Sequence, residues 1–220
     1  MGILYSEVES DTAYSLGIMF DLFPENLADG AKERLKLLAD YSGYSFYPGY
    51  SGMSSFLPAL GAGGNYETAV RVLENSQPGG LAYPMIVKGL TTNPEDINAF
   101  KPYDAYGNPY EDGKYRIYGS LNHAAYACAC SFLFTDILGI KTDENAPGFE
   151  HFYIEPAYNC GLEYASGSYE SKFGMIKVGW NVTEKSVEGE VPAGTTCTLT
   201  LPSGEKIELS AGSFNRKWDF

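Results

Sequence analysis

Two side chains that could move protons, Glu95 and His123, bracket one polar stretch between Gly89 and Ala127. Between them lie Tyr103, Tyr106, Tyr110, Tyr115 and Tyr118, interrupted by Gly, Pro, Asn and Asp, the residues that punctuate loops. A loop of this length is normally functional or disordered. Five tyrosines argue against disorder, because aromatic side chains gain too much from burial to stay solvated. A carboxylate, an imidazole and several flat rings around one mouth suit a carbohydrate. Acid–base groups serve glycosidic bond cleavage, and rings such as Tyr103 can cover the apolar faces of a sugar. Asp96 and Asp104 are further carboxylates close enough in sequence to act as acid or base. Plainer roles compete: Glu95 as a surface residue favoured near a helix start by the dipole, His123 as a core histidine bonded to a backbone carbonyl, and the tyrosines as packing.

The elements around this loop are helical before it and extended after it. Apolar spacing predicts helices over Asp11–Phe23, closed by Pro24, and over Leu27–Asp40, with Ala31, Leu35 and Leu38 inward and Gly43 as the stop. A short apolar helix over Met53–Leu60 must accommodate Pro58. Asn65 can cap a fourth helix, and Leu81–Lys88 is a weaker helical segment leading to the loop. After the loop, Ser120–Leu138 reads as the longest apolar helix, small and apolar on more than one side, as suits a helix buried on several faces. From Lys141 to Gly148 the chain is polar and contains Pro and Gly, a linker pattern. Short alternating runs follow at Phe152–Glu155, Leu162–Tyr169, Met175–Trp180, Ser186–Val191, Thr195–Leu201 and Lys206–Leu209. Val-Pro-Ala-Gly-Thr-Thr and Leu-Pro-Ser-Gly-Glu stand between strands as turn signals. Trp180 falls on the inward side of this pattern. The expected architecture is multidomain, α then β: helical hairpins over residues 1–140, a linker over 141–150, and a small antiparallel β-sandwich over 151–220.

With 220 residues, 44% apolar and 20% charged, the chain can bury a sizeable core. Its formal charge of −13 opposes nucleic acid and anionic membranes, which need clustered Lys and Arg. No window reaches the length of a spanning helix. Residues 1–10 lack the basic start and apolar run of a signal peptide. Cys128, Cys130, Cys160 and Cys197 show no Cys-x-x-Cys spacing, and the first two point to different faces of a helix, so reduced thiols and a cytoplasmic setting are expected. Two histidines without ligand spacing give no structural zinc site, and no cofactor is expected. Asn181-Val-Thr matches a glycosylation acceptor, which matters only in a secreted chain.

An ordered set of segments makes the reading sharper. Asp11-Thr-Ala-Tyr-Ser-Leu, Gly49-Tyr-Ser-Gly with Phe56-Leu-Pro-Ala-Leu, Gly89-Leu-Thr-Thr, Ser120-Leu-Asn-His and Asp143-Glu-Asn-Ala-Pro-Gly-Phe occur in that order. Ile154-Glu-Pro, Ser168-Tyr-Glu-Ser, Phe173-Gly-Met-Ile and Val191-Pro-Ala-Gly-Thr-Thr continue it. Together they resemble the C-terminal half of bacterial α-L-rhamnosidases, six-hairpin glycosidases with an (α/α)6 barrel and a C-terminal β-sandwich. The resemblance implies a partial barrel here, inverting hydrolysis of terminal α-L-rhamnosides, and a rhamnose-containing glycoside or polysaccharide as substrate. It places the general base on Glu95 and a sugar-contacting imidazole on His123, with Asn122 beside it. Pro94 stands where the family has Trp, and Asp96 where it has a basic or aromatic residue. The family's general acid lies upstream of any segment matched here, so a complementing N-terminal half, or self-association through an exposed helical face, is the expected partner. The competing function is a non-catalytic carbohydrate-binding or structural module built on the β part.

Overall fold

The first helix begins where Ser10 Oγ accepts the Ala13 N–H at 3.1 Å, a side-chain cap on an otherwise orphan donor. In this computed structural model, which describes residues 9–97, 100–101, 108–112, 114, 116–117 and 119–219, α1 runs over Asp11–Met19. Tyr103, Asp104, Tyr106, Tyr115 and Tyr118 lie outside the described residues. Tertiary contacts divide the chain into residues 1–129 and residues 130–220.

In the first unit, α1 stops short of Phe23 because the chain reverses at Asp21, whose φ is 51°. The reversal brings the Phe23 ring back over Gly17, where a Cβ would come within 2.3 Å of it, and beside Tyr14 at 6.0 Å. Helix α2, Glu25–Tyr41, buries Ala31, Leu35 and Ala39, while Leu38 is only half-buried. Helix α3, Gly49–Ala62, is longer than its apolar run and contains Pro58. Proline removes one helical N–H and frees the carbonyl four residues earlier. That residue, Ser54, is exposed, so water can satisfy it and the helix continues. Gly52 lets α1 and α3 approach closely, since a Cβ there would stand 3.0 Å from Thr12 Cα. Helix α4, Tyr66–Glu74, buries Ala69, Val70 and Val72, and α5 is a single turn, Tyr83–Ile86. Phe46 centres the core, 5.7 Å from both the Phe56 and Tyr126 rings. A two-residue antiparallel pair, β1 (Phe100–Lys101) with β2 (Arg116–Ile117), crosses the tyrosine loop.

The long helix expected over Ser120–Leu138 is not one. Ser120 and His123 pair through their backbones with Glu95 and Asn93, which holds residues 120–123 out of helical geometry. Helical turns begin only at Ala124: a 3₁₀ turn over Ala124–Ala127, α6 over Cys128–Phe132, and a π turn over Leu133–Ile137. Among the described residues, no helix is long and apolar enough to cross a membrane. None of the four cysteines is in a disulfide; Cys160 and Cys197 are buried, and burial pushes the Cys197 thiol up to about 12.

The second unit is a curled six-stranded sheet: β3 (Ile140–Thr142), β4 (His151–Ile154), β5 (Tyr164–Ser171), β6 (Gly174–Asn181), β7 (Ser186–Thr200) and β8 (Lys206–Lys217). The segment read as a linker thus starts as a strand, paired with β4. The sheet is mixed, not antiparallel throughout, because β4 runs parallel to β7. Val-Pro-Ala-Gly-Thr-Thr does not reverse the chain either. Pro192 and Gly194 form an irregularity within β7, while β8 stays in register on both sides of it, Val191 with Gly212 and Thr196 with Ser210. A bulge bends a strand without ending it. Bent in this way, β7 pairs with β6 through residues 186–190 and with β4 through residues 196–199. The inward side carries Ile154, Ile176, Val178, Val187, Leu199 and Trp180, which is buried as its alternation predicts and donates from Nε1 to the Ile137 carbonyl at 2.9 Å.

Gly139 has φ 75°, and a Cβ there would lie 2.2 Å from the Glu155 carbonyl carbon. Gly204 has φ 85° with nothing within 4 Å. Gly139→Ala is therefore expected to destabilise this unit by about 3 kcal/mol or more, and Gly204→Ala by only about 1 kcal/mol, the left-handed backbone penalty alone. Both tryptophans, Trp180 and Trp218, lie in this unit, so urea midpoints followed by their fluorescence will read the difference.

Candidate active site

The site is assembled where residues 93–95 run beside residues 119–123. The Glu95 N–H donates to the Ser120 carbonyl at 2.7 Å, and the His123 N–H to the Asn93 carbonyl at 2.8 Å. Thr92 Oγ1 donates to the Leu121 carbonyl and closes the same pairing. In return the Ser120 N–H donates to Glu95 Oε2 at 3.0 Å. That return bond needs the chain to pass very close to the carboxylate, which Gly119 allows. Its φ is 80°, and a Cβ would stand 3.1 Å from Oε2.

Tyr50 enters from the first turn of α3. The Pro48 carbonyl accepts Thr12 Oγ1 and Gly49 turns through φ 61°, so the start of α3 is tied to the start of α1. Tyr50 is 56% exposed, yet its hydroxyl stands 3.2 Å from Glu95 Oε1 and 3.3 Å from His123 Nε2. Its ring meets the imidazole edge-on, with centroids 5.2 Å apart. The other imidazole nitrogen, Nδ1, accepts the Ala125 N–H at 3.3 Å and so caps the 3₁₀ turn. Glu95 and His123 thus share one hydroxyl.

Tyr50, Glu95 and Gly119 border a cleft of about 440 Å³, and His123 meets it only through the Tyr50 hydroxyl, since it is not part of the lining. Phe46, Met53 and Tyr126, all buried, form its apolar side, and Tyr50, Glu95 and Asp96 carry its polar atoms. Burial pushes the Tyr126 phenol up to about 12, so it is neutral in ordinary buffers. Asp96 is ion-paired with Lys101 at 3.1 Å. Pro94 is buried beside Glu95. Asn122 is exposed, gives its N–H to Ser120 Oγ at 3.2 Å, and is not part of the cleft lining. Tyr103 lies outside the described residues.

Glu95 is held below the usual carboxylate range, first by the Ser120 N–H, then by the Tyr50 hydroxyl; the nearness of His123 acts the same way, and burial and Asp96 oppose it. An ionised carboxylate has room for about four hydrogen bonds. Two are met here by Ser120 and Tyr50, so the group can also accept from a water in the cleft. Sequence reasoning passed over Tyr50, although Gly49-Tyr-Ser-Gly was among the matched segments. Its partners are far away in sequence, and nothing local marks its hydroxyl for them. Gly119→Ala is expected to push the carboxylate off the Ser120 N–H and raise the Glu95 titration toward the ordinary carboxylate value. Carbon-13 NMR of the glutamate carboxyls will measure it, and an unmoved midpoint would mean that the Ser120 bond does not hold the charge.

Comparisons with known proteins match residues in both units. The profile of the bacterial alpha-L-rhamnosidase 6 hairpin glycosidase domain matches residues 5–137, and that of the bacterial alpha-L-rhamnosidase C-terminal domain matches residues 139–213. An alpha-L-rhamnosidase of Streptomyces avermitilis is 26% identical over 219 residues, covering 97% of this chain and 20% of the relative. One from an Alteromonas species is 26% identical over 215 residues, covering 96% of this chain and 22% of the relative. The chain therefore spans about a fifth of the length of these curated relatives. The crystal structure of an Aspergillus terreus alpha-L-rhamnosidase superposes with a TM-score of 0.79 at 25% identity, over 94% of this chain and 24% of that one. That of the Streptomyces avermitilis enzyme complexed with L-rhamnose superposes at 0.77 with 24% identity, over 94% of this chain and 21% of that one. With one family profile over the helical residues and its companion over the strands, the chain belongs to the bacterial alpha-L-rhamnosidase family.

Proposed function

We propose that these residues form part of an inverting glycoside hydrolase that removes terminal α-L-rhamnose from a glycoside or polysaccharide, with Glu95 as the general base. The observation that carries this reading is the Glu95 carboxylate, kept ionised at the edge of a cleft by the Ser120 N–H and the Tyr50 hydroxyl. A base must be unprotonated at working pH and within reach of a water; the lowered titration of Glu95 and the acceptor capacity left on its carboxylate support that role. The apolar side of the cleft suits one face of a sugar ring, and in this reading His123 meets a sugar hydroxyl by way of Tyr50, the lining residue whose hydroxyl stands 3.3 Å from its Nε2. The Streptomyces avermitilis relative holds L-rhamnose, which supports the choice of sugar.

Inverting hydrolysis needs a second carboxyl group, about 6.5–9.5 Å from the first, to protonate the leaving oxygen. Asp96 adjoins Glu95 in the chain and is ion-paired with Lys101 at 3.1 Å, so it is not assigned that role. The acid in this proposal comes from a polypeptide segment beyond the 220 residues, since the relatives are about five times as long. On the same reading, α1–α4 are hairpins of an (α/α)6 barrel completed by that segment, and the curled sheet is the family's C-terminal β-sandwich.

In an enzyme carrying both parts, Glu95→Gln is expected to lower turnover of an aryl α-L-rhamnoside by about 10² to 10⁴, the range for a positioned acid or base. Unchanged turnover would remove Glu95 from the chemistry. If the wild-type pair binds rhamnosides without cleaving them, the chain is a binding module.

A further inference from the structure

We propose that Tyr50 is the positioning residue of this site, holding the Glu95 carboxylate and fixing which nitrogen of His123 carries the proton. The positioning argument stands on geometry, and its bearing on turnover rests on the reading of Glu95 as base.

The inference follows from counting donors and acceptors along one chain of hydrogen bonds. Nδ1 of His123 receives the Ala125 N–H, so it must present a lone pair. In the neutral ring the proton is then on Nε2, which faces the Tyr50 oxygen at 3.3 Å. With that oxygen accepting from Nε2, the phenolic proton is directed to Glu95 Oε1 at 3.2 Å. The order is Ala125 N–H to imidazole, imidazole N–H to phenol, phenol O–H to carboxylate. Each donor has one acceptor, and no member can rotate without breaking the next bond. Both imidazole nitrogens are therefore occupied in this state, and a sugar hydroxyl reaching Nε2 must displace Tyr50 or bind to its hydroxyl instead. At 56% exposure on the first turn of α3, the phenol can be met from the cleft. Among the described residues, the other charged group lining the cleft is Asp96, which is ion-paired with Lys101.

The chain has two histidines, so nitrogen-15 NMR of the imidazoles in the 220-residue protein reads His123 directly, with His123→Gln to assign it. The neutral ring is expected as the Nε2–H tautomer. Tyr50→Phe keeps the ring and its packing but removes the hydroxyl. It should mix the tautomers and raise the Glu95 carboxyl titration, because a donor to the charged form is lost. In the enzyme completed by its remaining segment, Tyr50→Phe should lower kcat by about 10- to 10²-fold, as expected for a misplaced catalytic group. KM should change little, and the acid limb of the pH–rate profile should move to higher pH. In a Glu95→Gln background the same substitution should add almost nothing. An Nδ1–H tautomer, or a Glu95 titration indifferent to Tyr50→Phe, would overturn the proposal. A completed wild-type enzyme inactive on rhamnosides, with the NMR results as expected, would overturn the functional reading and leave the positioning role standing.

Discussion

The reciprocal pairing of Glu95 with Ser120 is the interaction on which the site depends. One peptide group gives its carbonyl to the Glu95 backbone, and its neighbour's N–H goes to the Glu95 side chain. This pairing fixes the carboxylate in place and keeps the Ser120–His123 segment out of helical geometry. His123 itself is extended, at φ −112° and ψ 119°, which sets it at the start of the 3₁₀ turn, where its ring can cap that turn and still face Tyr50. Had residues 120–123 been helical, as their apolar context suggests, His123 would have pointed along a helix face and the shared hydroxyl would have no second partner.

Glycine placement carries the local cost. Gly119 and Gly49 both take positive φ, the first to bring the Ser120 N–H to Oε2 and the second to launch α3 with Tyr50 on its opening turn. Any side chain at either position would strain the backbone. The tie between Thr12 and the Pro48 carbonyl, and the close approach of α1 to α3 at Gly52, then hold that turn against the helical core. Packing around Phe46, Phe56 and Tyr126 thus reaches the chemistry through a short series of contacts, the last of which is the apolar wall of the cleft itself.

Helix periodicity was legible for α1 to α4, because apolar spacing is a local feature, although α1 ends at Met19 and not at Pro24. Two errors share a cause. Ser120–Leu138 reads as a helix because its composition is apolar and small, while the pairing with residues 93–95 that interrupts it is long-range. Pro192 and Gly194 read as a turn because the same residues serve a reversal and a bulge; only the register of β8 across them decides which. The parallel pairing of β4 with β7 was invisible for the same reason. Glu95 and His123 were chosen by residue type and by resemblance, neither of which contains the distance between them. Tyr50, which supplies that distance, carried no local sign at all.

Stability does not explain why such a network exists. Its members are exposed or half-buried, and a hydrogen bond in that setting contributes about 0.5–1.5 kcal/mol net, no more than one ordinary surface contact. Against that small gain stand two left-handed glycines, a helix denied its first turn at Ser120, and a carboxylate, Asp96, set beside another of like charge. Interactions that repay so little in stability, yet specify direction for every proton, are those expected where geometry is needed for chemistry. The β unit offers the contrast: there the polar ladder of His151 with Thr196 and Thr198, and of Thr198 with Glu208, lies along paired strands whose register already holds it. In the sheet the backbone sets the side chains. At the cleft the side chains of Glu95, Tyr50 and His123 complete what the backbone leaves open, so their positions can be altered one at a time without dismantling the fold that presents them.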